Sequence, residues 1–304
     1  MKASLLLLFV MMIPQVQAQS VTVTTGKVTR INVKSKYVDS RNVDIWVPEN
    51  YSKKKKYAVL YMQDGQMLFD PTQTWNKQAW QIDKVAGQLI QEQKTIPFII
   101  VGIWNNDNKR HPEYFPNRVY RTIDDSKKNF ISDILIKKGR IDSKFRPISD
   151  YYLKFIVNEL KPYIDENFST YPEAQYTFIA GSSMGGLVSM YAICEYPEVF
   201  GGAACMSTHW TGIYQLDDNP IPDALISYMN YYLPNPKNHK IYFDYGDQTL
   251  DSLYPTLQAK ADAVMKEKGY SKKNWLTKYF PGNDHSEKSW GERVHFPLEF
   301  LFQK

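Results

Sequence analysis

One short stretch, Gly181-Ser182-Ser183-Met184-Gly185-Gly186, constrains this chain more than any other. It follows the apolar, β-prone run Tyr176 to Ala180 and precedes a helix-like run, Leu187 to Tyr196. Strand, sharp turn and helix in that order are the context that G-x-S-x-G requires. The flanking glycines leave room for a serine backbone held in a strained turn. Such a turn lifts the Ser183 hydroxyl above the edge of a sheet. It also aims the N–H of Met184 and the positive end of the following helix at the same point. A serine so placed is a candidate nucleophile.

The first residues read as a targeting segment. Lys2 supplies a positive start, Leu5 to Ile13 an apolar core, and Val16-Gln17-Ala18 a small-residue cleavage site. Residues 1–18 are therefore expected to be a secretory signal peptide, which implies a secreted or periplasmic protein. The apolar run is too short to span a bilayer, and no later run has membrane length. Residues 19–304 are long enough for one large α/β domain. Cysteine is confined to Cys194 and Cys205, which excludes a small disulfide-dense fold. Both lie in apolar surroundings and are expected as free buried thiols, with a single bridge as the alternative. The formal charge of +5 is largely local, as in Lys53-Lys54-Lys55-Lys56. Without a basic stripe interleaved with aromatics, nucleic acid is not an expected partner.

The chain alternates between strand and helix patterns. Strands are expected at Lys27–Ser35, Asn42–Val47, Tyr57–Met62, Phe98–Trp104, Tyr176–Ala180, Gly202–Ser207, Lys240–Tyr245 and Trp275–Phe280. Helices are expected at Ala79–Glu92, Asp150–Asn167, Gly185–Tyr196, Leu253–Lys268 and Ser286–Phe302. The first two strands, joined by Asp39-Ser40-Arg41-Asn42, should form a hairpin. The later ones, separated by helices, should pair in parallel. Residues 105–148 are charged and rich in proline, and read as an irregular insertion over the site.

A serine hydroxyl needs a base to take its proton. With the nucleophile on such a turn, the chain order is Ser, acid, His. Of five histidines, His285 alone follows the last expected strand on a loop. His295 falls within the final helix, and His209 follows an earlier strand, where it can line the cleft without being the base. The acid should follow Lys240–Tyr245, where Asp247 and Asp251 both stand. Asp251 is preferred because it sits deeper in the loop, at the start of the next helix. A second backbone donor for an oxyanion is expected after the third strand, at Gln66 in Gln63-Asp64-Gly65-Gln66, with Asp64 bracing the loop through backbone hydrogen bonds. No H-E-x-x-H or clustered Cys/His spacing occurs, so neither metal nor cofactor is expected.

The stretch Tyr61 to Asp70, the serine turn, and His285-Ser286-Glu287 with Trp290 and Arg293 together resemble an esterase family of α/β-hydrolases. That family includes esterase D, feruloyl and acetylxylan esterases, siderophore trilactone esterases and mycolyltransferase antigens. The resemblance implies an α/β-hydrolase fold, with a mostly parallel sheet, an N-terminal antiparallel hairpin and helices on both faces. It puts the nucleophile on Ser183, the base on His285 and the oxyanion donors on the N–H groups of Met184 and Gln66. Arg110, Glu113 and Tyr114 match a segment that lies beside the active site. The expected activity is hydrolysis of carboxylic esters, foremost acetyl or feruloyl groups on polysaccharide. Trp104 and Trp210 are candidate cleft aromatics or core residues. The alternatives are a siderophore trilactone, for which Lys109 and Arg110 would supply a basic wall, and a non-catalytic binding module on the same fold.

Overall fold

Ala58–Met62 and Phe98–Ile103 are apolar at nearly every position, and every one of their residues is buried. A strand of this kind needs cover on both faces, and the computed structural model, which describes residues 21–304, supplies it. Eight strands form one sheet: β1 Lys27–Val33, β2 Arg41–Val47, β3 Ala58–Met62, β4 Phe98–Ile103, β5 Thr177–Ser182, β6 Gly202–Met206, β7 Lys240–Tyr245 and β8 Trp275–Tyr279. Their order is β1-β2-β4-β3-β5-β6-β7-β8. The pairs β1·β2 and β2·β4 are antiparallel and all others parallel. The expected hairpin and parallel sheet are thus both present. The expected signal peptide lies outside the described residues.

The helices are α1 Ile82–Gln91, α2 Arg110–Tyr114, α3 Asn117–Arg121, α4 Asp125–Lys137, α5 Ser149–Phe155, α6 Lys161–Asn167, α7 Met184–Glu195, α8 Ile221–Tyr232, α9 Pro255–Glu267, α10 Glu287–Arg293 and α11 His295–Leu301. Alternation along the strands divides the core in two. Val59 and Tyr61 face Leu153, Ile156 and the almost wholly buried α7, while Leu60 and Met62 face Leu89, Trp290 and Leu298. No helix among the described residues is long and apolar enough to cross a membrane. Cys194 and Cys205 are free and buried, as expected.

Several local expectations give way to backbone chemistry. The helix expected over 150–167 contains a wide turn at Ile156–Leu160. Pro162 follows it and has no N–H to close the regular ladder. The expected C-terminal helix breaks at Val294, because Pro297 clashes with the carbonyl four residues back. The insertion at 105–148 is not irregular: α2, α3 and α4 occupy most of it. No element is expected between residues 208 and 239, yet α8 forms there, with Pro222 near its start, where a missing N–H costs nothing. Arg41 does not lie in a turn. It opens β2, is buried, and pairs with buried Glu113 at 2.7 Å.

The topology fixes where a site can form. From β3 the chain crosses to β4 on one side, and β5 then returns on the other side of β3. Open α/β sheets bind ligands at such a reversal, outside the carboxyl ends of the strands. The serine turn follows β5 and the Gly65 loop follows β3, so both open at that point.

Candidate active site

Ser183 has φ 59° and ψ −124°, a strained conformation for a residue with a side chain. The neighbours hold it there. Its N–H donates to the Met206 carbonyl at 2.9 Å, and its carbonyl accepts from the N–H groups of Leu187 at 3.0 Å and His209 at 3.1 Å. A Cβ on Gly181 would come within 2.7 Å of the Gly185 backbone, and one on Gly185 within 3.0 Å of the Gln63 Cβ. These two positions therefore exclude side chains for reasons of space. The Ser183 Oγ makes no hydrogen bond within the described residues. The unpaired N–H groups of the first turn of α7, Met184 among them, lie directly after it.

His285 follows β8 on a loop, with its N–H donating to Thr249 Oγ1 at 3.0 Å. Its Nδ1 lies 2.5 Å from Asp251 Oδ1. The ring sits edge-on to Trp290, with centroids 4.9 Å apart and planes at 80°. Asp251 is completely buried in the short turn Thr249–Leu253 that precedes α9. Its other oxygen, Oδ2, accepts from Gly246 N–H and Ser207 Oγ, each at 2.6 Å. Asp247 is placed differently. Its carboxylate accepts from Tyr279 Oη and, at 2.9 Å, from Gly282 N–H, which ties the β7 and β8 loops together. Tyr279 also holds the Asp247 carboxyl below its ordinary pKa. Of the two candidate acids, Asp251 is the one that touches the His285 ring.

The loop after β3 starts with Asp64 in the left-handed region, φ 55° and ψ 46°. A Cβ on Gly65 would lie 2.4 Å from the Gly102 backbone of β4, so glycine is required there. Asp64 does brace the loop, but not through backbone donors. Its carboxylate accepts two bonds from Arg110, both at 2.7 Å, and one from Asn105 Nδ2 at 2.7 Å. The left-handed turn at Asp64 swings the carboxylate toward the insertion. Gln66 accepts from Asn105 N–H at 3.1 Å through its side chain. Behind the loop, Tyr152 Oη donates to Gln63 Oε1, and the Arg41 guanidinium lies over the Tyr152 ring at 5.3 Å.

The two expected aromatics do not join these groups. Trp210 is 1% exposed, and its Nε1 donates to Gln258 Oε1 at 2.9 Å, so it is a core side chain and not a substrate contact. Trp104 donates to Asp44 at 2.9 Å and lies under the Arg30 guanidinium at 4.5 Å, on the side of the edge hairpin. His209 is buried beneath the serine turn, with Nδ1 at 2.8 Å from Tyr254 Oη. Burial pushes its pKa well below the ordinary histidine value. Burial also lowers His111 to about 3, with the nearby Arg110 charge acting in the same direction. Lys109 pairs with Asp39 and Arg110 with Asp64, so both expected basic-wall cations already have carboxylate partners. A groove of about 860 Å³, lined in part by Gln175, Phe178, His239 and Lys240, lies at the opposite, amino-terminal ends of the strands, and no expected site residue borders it.

Nothing local in the sequence marks Ser207 or Asp244, and Trp290 and Arg293 stand out there only through the family resemblance. The other three converge on Ser207, whose hydroxyl bonds Asp251. Arg293 Nη2 lies 3.0 Å from Asp244 Oδ1 and 2.8 Å from Ser207 Oγ, and Trp290 Nε1 lies 3.0 Å from that same Oγ. The available signal was spacing: Trp290 and Arg293 are three apart and share one face of α10.

Known proteins resemble the chain over nearly its whole length. An uncharacterized protein of Bacillus subtilis, YbbA, is 24% identical over 273 residues, covering 87% of this chain and 94% of that protein. An endo-1,4-beta-xylanase/feruloyl esterase of Xylanibacter ruminicola is 28% identical over 196 residues, 61% of this chain but only 21% of that larger protein. Among solved structures, an IroE-like serine hydrolase from Shewanella oneidensis superposes with a TM-score of 0.68 at 19% identity, over 91% of this chain and 80% of that one. A ferulic acid esterase from Anaeromyces mucronatus, solved with ferulic acid, gives 0.63 at 15% identity over 95% of each chain. These likenesses establish the α/β-hydrolase fold. The model of the family described as "Putative esterase" matches residues 35–302. The chain belongs to that family, and with it to the carboxylic ester hydrolases.

Proposed function

We propose that this ester hydrolase is a serine esterase working through Ser183, His285 and Asp251, in one domain spanning residues 19–304. The observation that carries the reading is the 2.5 Å contact between His285 Nδ1 and Asp251 Oδ1. It leaves Nε2 of the imidazole as the free base, on the same sheet edge as the strained Ser183 turn. His285 takes the Ser183 proton as Oγ attacks the ester carbonyl. The N–H groups of Met184 and Gln66 receive the developing oxyanion. His285 then protonates the departing alcohol, and an acyl-enzyme remains on Ser183. Water, deprotonated by the same imidazole, releases the acid and restores the serine. Catalytic hydrogen bonds are commonly long before substrate arrives, which is consistent with the unbonded Ser183 Oγ.

The substrate class we propose is acetyl or feruloyl esters of carbohydrate, acted on outside the cytoplasm after removal of residues 1–18. Two relatives act in this direction by name, the xylanase/feruloyl esterase and the ferulic acid esterase. The main competitor is a siderophore trilactone, supported by a fold shared with the enterobactin esterase of Shigella flexneri at a TM-score of 0.63. An anionic iron complex needs cations with charge to spare. Asp39 and Asp64 offset Lys109 and Arg110 here, which favours a neutral sugar ester. The test compares kcat/KM for acetylated xylan oligosaccharides, a feruloylated arabinose ester and a cyclic catecholate trilactone. A carbohydrate ester should lead by about 100-fold or more, since a site that hydrogen-bonds substrate hydroxyls discriminates at least as strongly as an apolar pocket does. A trilactone preference of that size would overturn the substrate assignment and leave the catalytic one standing.

A further inference from the structure

The three assigned residues do not account for the buried polar groups around Asp251, and a count of donors and acceptors there gives an additional role, resting on the reading of Asp251 and His285 as catalytic partners. Ser207 sits at the carboxyl end of β6 with φ 40°, held by its N–H to the Asp244 carbonyl at 2.9 Å. Its hydroxyl has three neighbours: Trp290 Nε1 at 3.0 Å, Arg293 Nη2 at 2.8 Å and Asp251 Oδ2 at 2.6 Å. An indole N–H and a guanidinium N–H can only donate. They fill both lone pairs of the Ser207 oxygen. The one proton that the hydroxyl carries is therefore directed at Asp251 Oδ2.

We propose that Ser207 is a positioning residue of the reaction: Trp290 and Arg293 hold its hydroxyl as an obligate donor to Asp251, which fixes that carboxylate as the acceptor of the His285 Nδ1 proton. With Gly246 N–H also on Oδ2, every group among the described residues that hydrogen-bonds the Asp251 carboxylate donates. Rotation of the carboxylate would break two bonds on Oδ2, so Oδ1 stays on the imidazole. Trp290 acts twice, since its ring also packs edge-on against His285. Among the described residues, the charged and titratable groups around the pair include Arg293, Asp244, Tyr254, His209 and Asp284. Asp244 balances the Arg293 charge at 3.0 Å, so the guanidinium orients Ser207 without withdrawing Asp251 from the histidine. The nearest approach of Arg293 to Asp251 itself is 3.8 Å.

The test is a double-mutant cycle between Ser207→Ala and Asp251→Asn, read as kcat and KM on p-nitrophenyl acetate with the intact protein. Ser207→Ala should lower kcat about 10- to 100-fold, the worth of a hydrogen bond to a charged group, and leave KM within about twofold. In the Asp251→Asn background the same change should cost less than about twofold, because the partner it serves is already lost. A full Ser207→Ala loss that multiplies with that of Asp251→Asn would mean a general structural role and overturn the proposal. So would a Ser207→Ala enzyme within about twofold of wild-type kcat. Should the alanine variant fail to fold, Ser207→Cys decides: its weak S–H donor fills the same space and should give an intermediate kcat, whereas wild-type kcat would contradict the proposal. If Asp251→Asn alone kept full activity, the catalytic assignment would fail instead.

Discussion

Ser183→Ala removes ester hydrolysis, with kcat falling about 10³-fold or more, while the protein remains folded. The two halves of this expectation have separate physical grounds. Activity is lost because Ser183 is the residue that takes the strained position between β5 and α7, and alanine has no hydroxyl there. The fold survives because the Ser183 Oγ makes no hydrogen bond among the described residues, so its removal orphans none of their polar groups. The backbone bonds that hold the turn, to Met206, Leu187 and His209, remain. Alanine keeps the Cβ that already tolerates φ 59°. Turnover of p-nitrophenyl acetate and a thermal melt, measured on the same preparation, check both halves. Near-normal turnover would remove Ser183 as nucleophile.

Asp251→Asn should cost about 10³- to 10⁴-fold in kcat, and Asp247→Asn no more than a few-fold. An amide at 251 presents one oxygen and one NH₂ group to three donors: the His285 Nδ1–H, the Ser207 hydroxyl and the Gly246 N–H. In either orientation at least one donor faces another donor. Facing His285, the NH₂ would push the proton to the wrong ring nitrogen. At Asp247 the same change disturbs only bonds to Tyr279, Gln248 and Gly282. These stitch two surface loops together and touch no reacting group. Both variants should be compared at equal folded fraction by circular dichroism. The reverse ranking would transfer the acid to Asp247 and remove the meaning given to the His285 contact.

Much of the site is legible in the sequence because its geometry is made by local rules. Gly181 and Gly185 mark a turn where only hydrogen fits, and the strand and helix that flank it are apolar enough to be read from composition. His285 is selected by elimination, since it alone follows the last strand on a loop. Asp251 against Asp247 is less legible, because both are polar residues of one loop. The choice depends on which side chain the short turn at Thr249–Leu253 folds inward. Long-range pairing leaves no local mark at all. Arg41 reads as a turn residue until Glu113, 72 positions away, is brought to it. Ser207 reads as an ordinary strand-end serine until Trp290, Arg293 and Asp251 converge on it from α10 and the β7 loop. Trp210 shows the converse error: an indole near a strand end suggests a cleft wall, but Gln258 on α9 gives its N–H an inside partner, and the ring turns into the core. In the insertion, α2 and α3 are five residues each, one containing Pro112 and the other following Pro116, and α4 is rich in charged residues, so their hydrophobic pattern does not stand out from a loop.

Covalent trapping tests the central claim most directly. A fluorophosphonate reacts with a serine only where a base takes its proton and an oxyanion site receives the phosphoryl oxygen. Incubated with the intact protein and digested for mass spectrometry, it should add one equivalent to the peptide that carries Ser183. The labelling rate should fall by about 10³-fold in His285→Ala, and the label should be absent from Ser183→Ala. Stoichiometric modification of a different serine, or undiminished ester turnover by a protein that takes up no label, would contradict the account.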